Sequence, residues 1–350
     1  MKIHEKYLRR CLQIGSKALG LAAPNPMVGA VIVCDGAIIG EGYTSAFGGP
    51  HAEVNALNSV SDKGLLKRAT LYVSLEPCCH QGKTPPCTNV IIASGIPRVV
   101  VGIRDPNPKV AGMGITQLQE AGIEVIEGIL QGECRQHHRR FLTAQEQGRP
   151  YIILKWAESR DGFIAPENEA RDKDAKPFWI SGSLSRRLVH KWRTEEMAIL
   201  VGTQTAVADN PALSARAWEG RNPYRLLIDR NLRVPAASKL LDHSTPTAVF
   251  HEQANPPEAK ENLSYVALNS GKAIPKQIAS WAQKQGLNSI IVEGGAQTLN
   301  LFISTDLWDE ARIFQGPSLL KNGIKAPEIK GRLIAETHLE HDRLQILRND

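Results

Sequence analysis

The sequence predicts an α/β protein of two domains. Apolar runs of strand length alternate with segments of helical periodicity over most of the 350 residues, the pattern of a layered α/β fold. That length exceeds what one hydrophobic core usually serves. A polar stretch, Gln145-Glu146-Gln147-Gly148-Arg149-Pro150, ends in two strong structure breakers, and the alternation restarts after it. The boundary is placed there, giving domains 1–146 and 147–350.

Taken in order, residues 4–20 carry apolar side chains at helical spacing (Tyr7, Leu8, Cys11, Leu12, Ile14, Ala18), and Gly20 is a stop. Pro24-Asn25-Pro26 must be a loop, because neither proline fits a helix interior. Val28 to Val33 and Ala37 to Tyr43 read as strands joined by an Asp35-Gly36 hairpin turn. A Gly-Gly-Pro loop delivers a helix from His51 to Val60. Strand Thr70 to Leu75, a breaker-rich loop to Pro86 and helix Cys87 to Ser94 follow. Next come strand Arg98 to Ile103, the turn Asp105-Pro106-Asn107-Pro108, helix Ile115 to Ala121, strand Ile123 to Ile129 and helix Glu133 to Gln145.

In the second half, strand Tyr151 to Trp156 leads to a turn at Arg160-Asp161-Gly162 and a charged loop over 166–176. A helix covers 183–195, strand Ala198 to Val201 follows, and Gly202-Thr203-Gln204-Thr205 opens another segment. Further strands are Arg225 to Asp229, Thr247 to Phe250 and Ser289 to Val292; Glu293-Gly294-Gly295 then opens a helix through Phe302. No internal repeat or low-complexity tract is present.

Composition removes several function classes. Hydrophobic residues at 42% and charged residues at 22% fit a globular protein, and no apolar run approaches membrane-spanning length. The charged start Met1-Lys2-Ile3-His4-Glu5-Lys6 lacks a signal-peptide core, so a cytoplasmic location is expected. The net charge of +6 is spread along the chain and aromatics are only 5%, which argues against a nucleic-acid surface. Six cysteines in so long a chain do not make a disulfide scaffold. Cys11, Cys34 and Cys134 read as buried thiols, whereas Cys78, Cys79 and Cys87 cluster.

The chemistry concentrates between Gly49 and Thr88. His51 and Cys87 each fall where a loop meets a helix, and Cys78 lies in the loop entering the second helix. Two helix N-termini hold such ligands rigidly and favour thiolates. Three protein ligands with a fourth position left for water is the catalytic zinc pattern. Glu53, two residues beyond His51, reaches that water as a general base and then acid. Zinc deaminases carry this signature as H-x-E followed by P-C-x-x-C. The first half fits; the second does not, because eight residues separate Cys78 from Cys87. Two choices stay open on residues alone. Cys79 can replace Cys78, and Glu53 can be a helix cap beside a closed structural site with His80 as fourth ligand. A nucleic-acid base deaminase shares the motif but leaves residues 150–350 without a role.

These segments resemble the bifunctional riboflavin-biosynthesis deaminase/reductase family. The resemblance rests on Pro24-Asn25-Pro26-x-Val28-Gly29-Ala30-Val31, His51-Ala52-Glu53, Leu75-Glu76-Pro77-Cys78, Gly82-Lys83-Thr84-Pro85-Pro86-Cys87 and Asp105-Pro106-Asn107-Pro108-x-Val110-Ala111-Gly112. In the second half it rests on Lys155, Asp161-Gly162, Trp179-Ile180-Ser181, Asp209-Asn210-Pro211-Ala212-Leu213 and Val292-Glu293-Gly294-Gly295. The long cysteine spacing is the family's own.

The resemblance implies a cytidine-deaminase-like α/β/α domain followed by a dihydrofolate-reductase-like domain. It implies one Zn2+ on His51, Cys78 and Cys87, Glu53 as proton shuttle, and substrate contacts at Asn25, His80, Lys83, Asp105 and Asn107. For the second domain it implies NADPH at Trp179, Thr205, Asp209 and Gly295, and substrate at Arg193, Leu213, Arg216 and Glu293; Lys155 and Glu293 are the candidates near the reacting carbon. The implied reactions are deamination of a diaminopyrimidinone carrying a ribosylamino 5-phosphate, then reduction of ribosyl to ribityl. Expected partners are that phosphorylated pyrimidine and further copies of the chain, with no nucleic acid and no membrane. The chain departs from the family pattern at Cys79, where Ser is common, at Glu158-Ser159-Arg160-Asp161, and at Asp174-Ala175-Lys176-Pro177-Phe178-Trp179.

Overall fold

Strands with both faces covered read as unbroken apolar runs, and such runs form the centre of two sheets in the computed structural model of the chain. It describes residues 2–81, 85–107, 111–167 and 177–349. The chain divides into two compact units, Met1–Gly148 and Arg149–Asp350.

The first unit opens with α1 (Lys2–Gly15) and the hairpin β1 (Gly29–Cys34) and β2 (Ala37–Tyr43). Then come α2 (Ala52–Ser59), β3 (Thr70–Leu75), α3 (Cys87–Ser94), β4 (Arg98–Ile103), α4 (Met113–Glu120), β5 (Glu124–Glu127), α5 (Gln131–His137) and α6 (Arg139–Glu146). The sheet order is β2-β1-β3-β4-β5, with β3, β4 and β5 parallel and β1 antiparallel to both neighbours. The period of two sorts its side chains. Val31, Val33, Tyr72 and Val100 pack under Tyr7, Leu8, Cys11 and Ile14 of α1. Ala30, Ile32, Leu71, Val73, Val99 and Val101 belong to a core with Ala52, Ala56, Ile91 and Leu118 from α2, α3 and α4. A β-carbon at Gly42 would lie 2.3 Å from the Ala56 nitrogen. Only glycine lets α2, whose first turn carries Glu53, lie this close to β2.

The second unit contains β6 (Tyr151–Glu158), β7 (Phe163–Ala165), α7 (Ser183–Glu195), β8 (Ala198–Gly202), α8 (Thr203–Asp209), β9 (Tyr224–Ile228), β10 (Thr247–His251) and β11 (Leu263–Ala267). It continues with α9 (Ile274–Lys284), β12 (Ser289–Val292), α10 (Ala296–Ser304), β13 (Glu310–Gln315), β14 (Ile324–Lys325), β15 (Arg332–Leu339) and β16 (Asp342–Arg348). Nine strands form one sheet in the order β11-β10-β9-β8-β12-β6-β13-β16-β15. The first seven are parallel; β16 and β15 close one edge as an antiparallel hairpin. One face packs on Ile278, Ala282, Leu299 and Phe302 of α9 and α10, the other on Val189, Trp192 and Ala206 of α7 and α8. Leu154 of β6 and Leu200 of β8 both pair with Val292 of β12, so Lys155 on β6 follows level with the residue that leaves the carboxyl end of β12. In such sheets ligands bind outside the carboxyl ends. Among the described residues, no helix is long and apolar enough to cross a membrane.

Several elements differ from expectation. The first helix ends at Gly15 and continues as a 3₁₀ turn, Ser16–Ala18. The helix expected over 133–145 is two, α5 and α6, meeting at His138, whose buried ring is hydrogen-bonded to Ser74 Oγ at 3.1 Å. The strand expected over 123–129 shortens to β5. Elements β7, β11, α9 and everything after residue 304 went without an expectation. Most of the charged loop expected at 166–176 lies outside the described residues.

Candidate active sites in the two units

His51 is the residue immediately before α2, in extended conformation with φ −76° and ψ 167°. Its Nδ1 lies 3.5 Å from Cys78 Sγ and 3.3 Å from Cys87 Sγ. In a tetrahedral zinc site, bonds of roughly 2.0–2.3 Å place sulfur and nitrogen about 3.5 Å apart. The donor set and its spacing therefore fit zinc. Among the described residues these three form the only group of His, Cys, Asp or Glu spaced to hold a metal ion; Cys79 and His80 are not in it. Cys87 begins α3, and its backbone N–H donates to Cys78 Sγ at 3.4 Å. The Cys87 thiol, buried and hydrogen-bonded to Cys78, is held up, while the same bond draws Cys78 down to about 4. One sulfur thus ionises readily, and a cation favours ionisation of the second.

Glu53 is buried on the first turn of α2. Burial, with the Cys78 charge beside it, pushes its carboxyl up to about 7. A cavity of about 380 Å³ opens over this group, within the range of small-molecule sites. Of the residues expected to touch substrate, Asn25, His80, Asp105 and Asn107 all line it. Lys83 lies outside the described residues. Asp105 is buried, which pushes its carboxyl up to about 6, and Oδ1 accepts the Asn107 N–H at 2.8 Å.

Sequence reasoning missed three groups here. Phe141 and Gln145 line the cavity from α6; their spacing of four, on one helix face, was the available signal. Phe47 lines it from the Gly-Gly-Pro loop. Glu76 was visible only as a motif residue. Its Oε1 accepts the N–H groups of Gly114 at 3.0 Å and Ile115 at 3.2 Å, and Oε2 those of Asp105 at 3.1 Å and Gly112 at 3.0 Å.

In the second unit β6, α7 and the carboxyl end of β12 bring three expected residues together. Arg193 of α7 clasps Glu293, just past β12, with Nε to Oε1 at 3.0 Å and Nη2 to Oε2 at 2.7 Å. Lys155 Nζ on β6 is 3.8 Å from Glu293 Oε2. Burial alone would raise the Glu293 carboxyl, but Arg193 and Lys155 hold it at about 2. Burial lowers Lys155, against the pull of Glu293. Beside this triad the Gly295 N–H donates to Thr205 Oγ1 at 3.0 Å, linking the starts of α8 and α10. Gly295 leads into α10 without a side-chain cap, leaving helix-end N–H groups for a phosphate. This donor set fits a phosphate-bearing cofactor. Trp179 is exposed, with the Arg186 guanidinium 4.9 Å from its ring centre. Leu213 is buried at a positive φ of 51°. Arg216 is exposed; burial lowers His190, and the charges of Arg193 and Arg216 add to it. Asp209 closes α8. At the divergent turn, Asp161 accepts from Ser159 Oγ at 2.6 Å and from the Lys321 N–H at 2.7 Å, so these residues tie β6 to the 318–321 loop.

Comparison with known proteins places this geometry in a family. The model of the cytidine and deoxycytidylate deaminase zinc-binding region matches residues 1–103, and that of the RibD C-terminal domain matches residues 150–346. The riboflavin biosynthesis protein RibD of Aquifex aeolicus is 38% identical over 340 residues, covering 96% of this chain and 93% of that protein. The chain belongs to the RibD family. RibD of Escherichia coli is 37% identical over 332 residues, 90% of this chain and 88% of that one. Among solved structures, a diaminohydroxyphosphoribosylaminopyrimidine deaminase/5-amino-6-(5-phosphoribosylamino)uracil reductase from Thermotoga maritima is 36% identical with a TM-score of 0.88, covering 99% of each chain. RibD of Acinetobacter baumannii gives 31% identity and a TM-score of 0.88, over 100% of this chain and 99% of that one. RibD proteins join a zinc deaminase and a reductase for riboflavin biosynthesis, and this chain has both parts, a cytidine-deaminase-like unit and a dihydrofolate-reductase-like one.

Proposed function

We propose that residues 1–146 deaminate 2,5-diamino-6-(5-phosphoribosylamino)pyrimidin-4-one and that residues 147–350 then reduce its ribosyl group, giving 5-amino-6-(5-phosphoribitylamino)uracil. The carrying observation is the convergence of His51, Cys78 and Cys87 at a cavity that His51, Cys78 and the buried Glu53 line. His51 Nδ1 and the two sulfurs hold one Zn2+, which supplies Lewis acidity that makes water nucleophilic at neutral pH. Glu53 takes a proton from the attacking water as the C–O bond forms and then delivers it to the departing amine, so that the C–N bond breaks and ammonia leaves. Asn25, Asp105 and Asn107 orient the pyrimidine edge; His80 and Lys83 meet the phosphate.

In the second unit Thr205, Asp209, Trp179 and Gly295 hold NADPH, the hydride donor. Lys155, Arg193, Leu213, Arg216 and Glu293 position the ribosyl carbon against it. The partners in this reading are the phosphorylated pyrimidine and further copies of the chain, with no nucleic acid and no membrane. The exposed outer strand β15, with Leu333 half exposed, supports self-association, because a sheet edge of this kind is a template for pairing. A cytoplasmic location is part of the same reading, since six free cysteines suit a reducing compartment.

The test is a single mixture of the zinc-loaded protein, the diaminopyrimidine ribosyl phosphate and NADPH. Ammonia release followed by NADPH oxidation is expected; neither signal from folded, zinc-loaded protein sinks the reading. A second expectation concerns pH. With the Asp105 carboxyl raised to about 6, its charged form accepts substrate N–H groups only above that value. Protonation of Glu53 lowers deaminase kcat/KM below about 7, and protonation of Asp105 should steepen that fall below about 6, so Asp105→Asn should keep the first limb and lose the added steepness; profiles of equal shape would remove Asp105 from substrate binding.

A further inference from the structure

We propose that Glu76 is a positioning residue, fixing the substrate-binding turn at Asp105 against the metal ligands through the start of α4. This rests on the substrate role of Asp105 proposed above. Both oxygens of a buried carboxyl are filled by four backbone donors: Gly114 and Ile115 on Oε1, Asp105 and Gly112 on Oε2. These donors come from 29 to 39 residues further along the chain. Glu76 itself stands two residues before Cys78, so one side chain ties the ligand loop to the turn that presents Asp105.

The same helix reaches the other cysteine. A β-carbon at Gly114 would sit 2.2 Å from the Pro77 carbonyl oxygen, so α4 begins in direct backbone contact with the Cys78 loop. One turn on, Gln117 Oε1 accepts from Thr88 Oγ1 at 2.7 Å and Gln117 Nε2 donates to Asn89 Oδ1 at 3.0 Å, both on the first turn of α3 beside Cys87. Helix α4 therefore braces both cysteine-bearing segments, and Glu76 is the joint that adds Asp105. A glutamine at 76 keeps the shape but turns an NH₂ toward two N–H donors. The turn then shifts, while the cysteines keep their contacts through Thr88 and Pro77. The loss falls on substrate placement, with the metal retained.

Glu76→Gln, Asp105→Asn and the double variant test this, each assayed for deaminase kcat and KM at neutral pH, zinc content and thermal midpoint. Glu76→Gln should keep one zinc per chain, raise KM roughly tenfold or more, and leave kcat within about fivefold. In the double variant KM should rise little beyond that of Asp105→Asn alone, because one residue acts through the other. An unmoved KM, additive effects or loss of zinc overturns the proposal. If Asp105→Asn itself leaves KM unmoved, the substrate role of Asp105 fails instead. Should Glu76→Gln not fold, Glu76→Asp, which retains the charge but shortens the reach, must show the KM rise with zinc intact, or the proposal is overturned.

Discussion

Glu53→Ala should lose deamination by about 10²–10⁴ while keeping zinc and leaving the reductase intact. That range is what a positioned general acid–base contributes. Glu53 sits on the first turn of α2, two residues beyond the ligand His51, and its carboxyl is raised to about 7 by burial and the Cys78 charge. A base near the operating pH can both take and return a proton, which one group must do here in sequence. Because the group spaced to hold a metal is His51, Cys78 and Cys87, without Glu53, truncating Glu53 should remove no donor. Ammonia release, zinc content and NADPH oxidation with the deaminated intermediate check the three parts separately. Glu53→Gln, which fills the same volume, should show the same loss; if it retains activity, the alanine effect is packing. Loss of zinc with either substitution would mean that Glu53 belongs to the metal site itself.

The first site was legible because its chemistry is local. His51 and Glu53 stand two apart at a helix start, and Cys78 and Cys87 bracket one loop. The residues alone left Cys79 as an alternative to Cys78; in the structure it is Cys78 Sγ that lies beside His51 Nδ1. The hub at Glu76 was hidden for a physical reason: backbone N–H groups carry no sequence signal, and any residue but proline supplies one. In the second unit the triad of Lys155, Arg193 and Glu293 is scattered over 139 positions and meets only because β6 and β12 run parallel with Leu154 beside Val292, which sets Lys155 level with Glu293. The elements after residue 304 escaped because their burial pattern is disguised. Strand β13 reads Glu-Ala-Arg-Ile-Phe-Gln, yet Glu310 and Arg312 are buried, paired at 2.7 Å, with the Arg312 guanidinium 4.5 Å from the Trp192 ring centre. Strand β15 has the opposite problem: both its faces are largely exposed, so no alternation marks it.

Glu293→Gln should abolish most ribosyl reduction and destabilise the second unit, with the deaminase unaffected. The Glu293 side chain is only 8% exposed and Arg193 12%, so removing the negative charge strands two cations in a poorly solvated place. Removing one partner of a buried pair typically costs about 3–5 kcal/mol, against a net value for the intact pair that can be near zero. Glutamine still accepts one Arg193 hydrogen bond, so the loss should fall toward the lower end of that range. The sign with pH follows from the carboxyl being depressed from 4.5 to about 2 in the folded protein. Its stabilisation is complete above the unfolded value and disappears as pH falls through the folded one. Wild type and variant should therefore differ most at neutral pH and converge as pH falls from 4.5 toward 2. Denaturant titrations across that window check the stability, and NADPH oxidation with the deaminated intermediate checks the chemistry. A variant as stable as wild type at neutral pH would show that Arg193 and Lys155 find other partners. Unchanged reduction would remove Glu293 from the site.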